Sequence, residues 1–128
     1  MKKKVLVVDD SEIVLTMARD VLEEGGFEVV TALSALEADK YIFGQDKPDL
    51  IVLDVMLPML DGDKKARMLK ENKLTMDIPV LLLSSKPEDE LLRLVKESGS
   101  DGFIRKPFTA LLMVSKVAEA MRGKSGGR

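Results

Sequence analysis

The chain contains no cysteine and no histidine. Without cysteine there is no disulfide, no thiol nucleophile and no thiolate zinc site, and the gap agrees with a reducing compartment. Losing histidine as well excludes Ser-His and Cys-His nucleophilic machinery and most zinc chemistry. Any chemistry must run on carboxylates, hydroxyls and amines, the partners of hard, oxygen-ligated cations. Tryptophan is missing too, and aromatics make up only 4% of the chain. With a net charge of −2 and no basic stripe interleaved with aromatics, there is no electrostatic footprint for nucleic acid. No apolar run approaches the roughly 18 residues that span a bilayer, so no membrane insertion is expected. Lys2, Lys3 and Lys4 precede the apolar run Val5 to Val8, but that run stops at two aspartates, unlike a signal peptide. The expected location is the cytoplasm, with the lysines as a solvated start to a strand.

What is present fits one ordinary domain: 128 residues, 45% hydrophobic and 33% charged. Apolar runs of strand length alternate with segments of helical period, the pattern of a parallel sheet wrapped by helices. Strand 1 is expected over Lys4 to Val8, an unbroken apolar run suited to cover on both faces. Ser11 caps a helix that Gly25-Gly26 stops, and Phe27 to Ala32 forms strand 2. Ser34 and Glu37 make a capping box for a helix ending near Gly44. Asp49 to Leu53 forms strand 3, with Asp54 at its carboxyl end, a loop to Gly62, and a helix to about Leu74. Val80 to Leu83 is strand 4, ending at Ser84-Ser85, and Pro87 opens a helix that Gly99 stops. Gly102 to Arg105 is strand 5, Thr109 to Met121 the last helix, and 123–128 a disordered tail after a domain at 1–122. The fold class is α/β, a flavodoxin-like doubly wound (βα)5 sandwich. Strand order 2-1-3-4-5 is the one expected of that class.

In such sheets ligands lie beyond the carboxyl ends of the strands, where the winding reverses. Asp9 and Asp10 end strand 1 and Asp54 ends strand 3, which puts three carboxylates in one crevice. Two carboxylates about 4 Å apart repel by roughly 4 kcal/mol at an effective dielectric near 20, a cost that a divalent cation offsets. Oxygen ligands of this kind suit Mg²⁺, or Mn²⁺ in its place. Ser84 and Lys106 bring a hydroxyl and an ammonium to the same edge, and together these groups suit a phosphoryl group. Asp54, alone on the central strand, is the best placed nucleophile, with Asp9 and Asp10 paired as a metal clamp.

The chain resembles a response-regulator receiver domain of two-component signalling. The matching pieces are Val-Leu-Val-Val-Asp9-Asp10, Leu53-Asp54-Val55-Met56-Leu57-Pro58 with Asp61-Gly62, Ser84-Ser85, and Lys106-Pro107-Phe108. Each piece is common by itself, but their joint order on successive strand ends is specific. The resemblance implies Asp54 as phosphoacceptor, with Asp10, Asp54 and the Met56 backbone carbonyl as direct metal ligands and Asp9 acting through water. It implies Ser84 as the hydroxyl that moves to meet the phosphoryl group, Lys106 as its lysine partner, Phe103 as the aromatic whose rotamer follows, and a cis peptide at Pro107. It further implies a histidine kinase or histidine phosphotransfer protein as donor, an unknown downstream protein target, and possible homodimers through the helix 4, strand 5 and helix 5 face. Met56 and Lys86 occupy variable positions and are expected to modulate water access to the acyl phosphate. Where the family often has glycine in the loop after the acceptor, this chain reads Pro58-Met59-Leu60.

Three readings compete with the switch. A magnesium-dependent phosphatase would carry a second aspartate two residues after its nucleophile, where this chain has Met56. That argues against a turnover enzyme. A flavodoxin-like cofactor binder needs a glycine- and hydroxyl-rich loop after strand 1, where two aspartates would repel a phosphate. A pseudo-receiver interaction module would keep the fold without phosphorylation. Helix 5 carries more apolar residues than one packing stripe needs, which reads either as a deeply set core helix or as a docking face with adaptable methionines.

Overall fold

The computed structural model describes residues 2–126. Five parallel strands, β1 Lys4–Val8, β2 Glu28–Ala32, β3 Leu50–Asp54, β4 Val80–Ser84 and β5 Gly102–Arg105, alternate with α1 Glu12–Glu24, α2 Ala35–Ile42, α3 Gly62–Glu71, α4 Glu88–Ser98 and α5 Ala110–Gly126. The sheet order is β2-β1-β3-β4-β5, all neighbours parallel. This is the doubly wound arrangement expected from the alternating pattern. Side chains alternate across each strand, so the sheet has two apolar layers. Leu6, Val8, Ile51, Leu53, Val80 and Leu82 meet α2, α3 and α4 on one face, and Val5, Val7, Leu50, Val52, Leu81 and Leu83 meet α1 and α5 on the other. Every residue of β1, β3 and β4 is buried, which is why these three strands read as unbroken apolar runs.

The helix signals are realised locally. Ser11 Oγ accepts from the Val14 amide at 3.3 Å, and Ser34 Oγ from the Glu37 amide at 3.0 Å, while the Glu37 carboxylate turns back to accept from the Leu33 amide. Ser34→Ala is expected to lower stability by about 1 kcal/mol, read from the urea midpoint. Gly99 closes α4 in the left-handed region, with φ of 76°.

Several boundaries differ for identifiable reasons. The Phe27 amide donates to Leu22 O and belongs to the end of α1, so β2 starts at Glu28. The Asp49 carboxylate accepts from the Lys4 amide at 2.8 Å, and the strand gains Asp54 at its other end. α3 stops at Glu71 instead of Leu74 because Asn72 is extended and Thr75 Oγ1 donates back to Leu69 O at 2.7 Å. Lys4 is no solvated strand start: it is buried and pairs with Asp46, with Glu28 farther off at 3.9 Å. The expected tail from Gly123 is helical through Gly126 as part of α5; residues 127–128 lie outside the described residues.

Candidate functional site

β1 ends by delivering Asp9 into the sheet edge, wholly buried, its amide bound to Ala32 O. One of its oxygens accepts from the Ser11 amide at 2.9 Å, so the residue that caps α1 also orients the acid. Asp10, one residue on, is exposed. β3 delivers Asp54, 4% exposed. One oxygen from each of Asp9, Asp10 and Asp54 lies within 4.8 Å of the others.

Lys106 follows β5, its amide bound to Ser84 O at 2.8 Å. Its ammonium stands 2.8 Å from Asp9 Oδ2 and 3.4 Å from Asp54 Oδ1. The Asp9 contact, at the distance of a charge-assisted hydrogen bond, is the closer of the two. Burial pushes the Asp54 carboxyl up from 3.8 to about 6, the Asp9 charge adds to the rise, and Lys106 and the Met56 amide oppose it. For Lys106, burial lowers the ammonium's affinity for its proton, but contacts with Asp9 and Asp54 outweigh this and the net shift is upward. One ammonium facing two buried acids, with a third acid at the rim, leaves the pocket short of positive charge. Three clustered carboxylates that share a single ammonium are what a hard divalent cation fits.

Ser84 is buried beside this group, one step beyond the Leu83–Asp54 pairing, and its Oγ accepts from the Lys86 amide at 3.0 Å. Phe103 lies farther back, half-buried against the α3–α4 layer and paired with Leu82. The Lys106–Pro107 peptide is cis. Met56 is 65% exposed at the mouth of the site. In the loop that follows, Met59 has φ of 70°, a left-handed conformation that glycine adopts without strain.

In the sequence Gly62 marks the end of the loop and, with Asp61, is one of the matching pieces, but nothing there gives a reason why glycine is needed. Its amide donates to Val55 O at 2.8 Å, and a Cβ there would fall 1.8 Å from Asp54 O. The helix therefore packs against the backbone of Asp54, with hydrogen as the only side chain that fits. No local pattern signals such a long-range approach.

Residues 5–118 match the response regulator receiver domain family, and the chain belongs to it. As a receiver domain it is a phosphoacceptor signalling switch of the two-component type. Among its relatives, it is 42% identical over 122 residues to the alkaline phosphatase synthesis transcriptional regulatory protein PhoP of Bacillus subtilis, covering 95% of this chain and 50% of that one. It is 36% identical to the phosphate regulon transcriptional regulatory protein PhoB of Escherichia coli, over 95% of this chain and 53% of that one. The chain thus spans about half the length of these curated relatives. Among solved structures it resembles a response regulator from Chloroflexus aurantiacus, with TM-score 0.89 and 30% identity over 95% of this chain and 99% of that one. The chemotaxis protein CheY4 of Vibrio cholerae matches at TM-score 0.84 and 27% identity over 94% and 99%. Among the described residues no helix is long and apolar enough to cross a membrane.

Proposed function

We propose that Asp54 takes a phosphoryl group from a histidine kinase, a histidine phosphotransfer protein or a small acyl phosphate, and that the resulting aspartyl phosphate changes which protein partner the chain binds. The observation that carries this reading is the cluster of three carboxylates, two of them buried, that share one lysine. A carboxylate oxygen of Asp54 attacks phosphorus, and the phosphorus–nitrogen bond of the donor, or its phosphorus–oxygen bond, breaks with the electron pair leaving on the donor. Asp10, Asp54 and the Met56 carbonyl would hold Mg²⁺ or Mn²⁺, with Asp9 acting through water; the ion would neutralise phosphoryl oxygens when bound. Lys106, freed in part from Asp54 when that carboxylate becomes an acyl group, turns its ammonium to the phosphoryl oxygens. Ser84 gives up the Lys86 amide and donates its hydroxyl to another, and the Phe103 ring moves into the room that Ser84 vacates on the same sheet face.

Without histidine, the chain needs its donor from outside, and with Met56 where a phosphatase would carry an acid, it undergoes self-dephosphorylation and no turnover. The partner-reading surface is the α4-β5-α5 face, where Leu92, Leu111 and Leu112 are exposed, and a second copy of the chain is one possible occupant. The setting is the cytoplasm, where both kinase and acyl phosphates are found. Intact-mass measurement tests the chemistry: with Mg²⁺ and a small acyl phosphate the chain should gain one phosphoryl group, and Asp54→Asn or a chelator should abolish the gain. No gain from any donor, or an equal gain in Asp54→Asn, overturns the assignment. Release of phosphate over many cycles would instead make the chain a phosphatase.

A further inference from the structure

Ser84 and Phe103 share one face of the sheet. Along β4, Val80 and Leu82 lie in the α3–α4 layer and Leu81 and Leu83 in the α1–α5 layer, so Ser84 falls on the α3–α4 side. Along β5, Ile104 belongs to the α1–α5 layer and Phe103 packs against the α3–α4 layer. β5 is the last strand of the sheet, so the half-buried ring lies at an open edge.

α5 covers the opposite layer through Met113 and Val117. Yet Lys116, between them, reaches around the edge of β5 and sets its ammonium 5.8 Å from the centroid of the Phe103 ring. The two other cation–ring contacts are local, Lys40 with its neighbour Tyr41 and Lys47 with Phe43 four residues earlier. Only the Lys116 contact among these joins the two layers. Lys116 is half-buried and has no ion-pair partner among the described residues. Asp101, which shares its cleft, is taken by Lys70 at 2.9 Å. The face of the Phe103 ring is therefore the partner that this ammonium has.

We infer that Lys116 is a positioning residue that holds the Phe103 ring at the edge of β5 and thereby opposes the movement of Ser84 toward a phosphoryl group. This rests on the phosphoryl reading of the Asp54 pocket. For the ring to enter the layer beneath Ser84 it must leave the ammonium, and a contact of this class biases two ring positions by about threefold. Loss of the charge releases the ring before any phosphoryl arrives, while the uncharged stem of the side chain still packs.

The test uses the whole chain with ring-labelled phenylalanine and NMR, with the Phe103 signals assigned through Phe103→Leu. In the unphosphorylated protein, the Lys116 ε-methylene protons should be shifted upfield by the ring current and show contacts to the Phe103 ring. Lys116→Met should move the Phe103 resonances toward their positions in wild-type protein treated with Mg²⁺ and acyl phosphate, leaving the other phenylalanines in place. Lys116→Arg, which keeps the cation, should hold them at the wild-type positions. Unmoved Phe103 signals in a folded Lys116→Met overturn the inference, as does an equal displacement in Lys116→Arg. If wild-type protein takes no phosphoryl group, the phosphoryl reading fails while the ring-current shift and the Met–Arg contrast still report the restraint.

Discussion

Gly62→Ala should lower the stability of the chain by about 3 kcal/mol or more and weaken its affinity for Mg²⁺. The added Cβ would meet Asp54 O at 1.8 Å, Asp54 C at 2.7 Å and Val55 Cα at 3.1 Å, all main-chain atoms that no rotamer change can move aside. Either the end of β3 or the start of α3 must shift. The Gly62 amide is itself bonded to Val55 O at 2.8 Å, so the shift also breaks a hydrogen bond that closes the loop after Asp54. Because Asp54 is the last residue of β3, displacement of its carbonyl displaces its carboxylate relative to Asp9. Urea unfolding gives the stability change. Gly123→Ala is the control, since a Cβ on Gly123 meets nothing within 4 Å and alanine favours a helix, and it should be neutral or slightly stabilising. A Gly62→Ala midpoint equal to that of the control would show that the loop yields without cost.

That contrast marks what could be read from the chain and what could not. Asp9, Asp54 and Ser84 were legible as strand ends because each interrupts a run of residues that must be apolar on both faces, and a polar residue there has to lie at the sheet edge. The winding rule then puts those edges in one crevice. Other features depend on distance in space alone. Lys4 sits at the head of an apolar strand, and only its packing against the loop that holds Asp46 shows it to be buried. The left-handed Met59 is invisible to propensity, since methionine gives no signal for it. Helix 5 carries apolar residues on both sides, and only their packing sorts them: Met113 and Val117 are wholly buried while Leu111 is 79% exposed. The Lys116 contact needed two coordinates that no periodicity supplies, the edge position of β5 and the length of a lysine side chain reaching around it.

Asp54→Asn should stabilise the metal-free chain at neutral pH by about 2 to 3 kcal/mol, even as it abolishes the proposed chemistry. The Asp54 carboxyl is held at about 6 against an ordinary 3.8, first by burial and then by Asp9. A folded value above the unfolded one means that the native state binds the proton more tightly. The stability this confers is complete below about pH 4 and is lost as pH rises through 6. Across that window the difference amounts to roughly 3 kcal/mol at 1.36 kcal/mol per pH unit. Asparagine has the same shape and no charge to desolvate, so its advantage should be absent near pH 4, grow between pH 4 and 6, and level off above 7. The value of about 6 already includes the Lys106 attraction that asparagine gives up, and the Asp9 contact at 2.8 Å remains to hold the ammonium. Mg²⁺ should reverse the order, because an ion that binds only the folded state adds stability that grows with the logarithm of its concentration, and Asp54 is one of its proposed ligands. Urea titrations of both chains from pH 4 to 8, with chelator and then with Mg²⁺, read all of this out. A stability difference that stays constant across pH would show that Asp54 ionises as an ordinary surface carboxylate. A Mg²⁺ response as large in Asp54→Asn as in wild type would place the ion elsewhere.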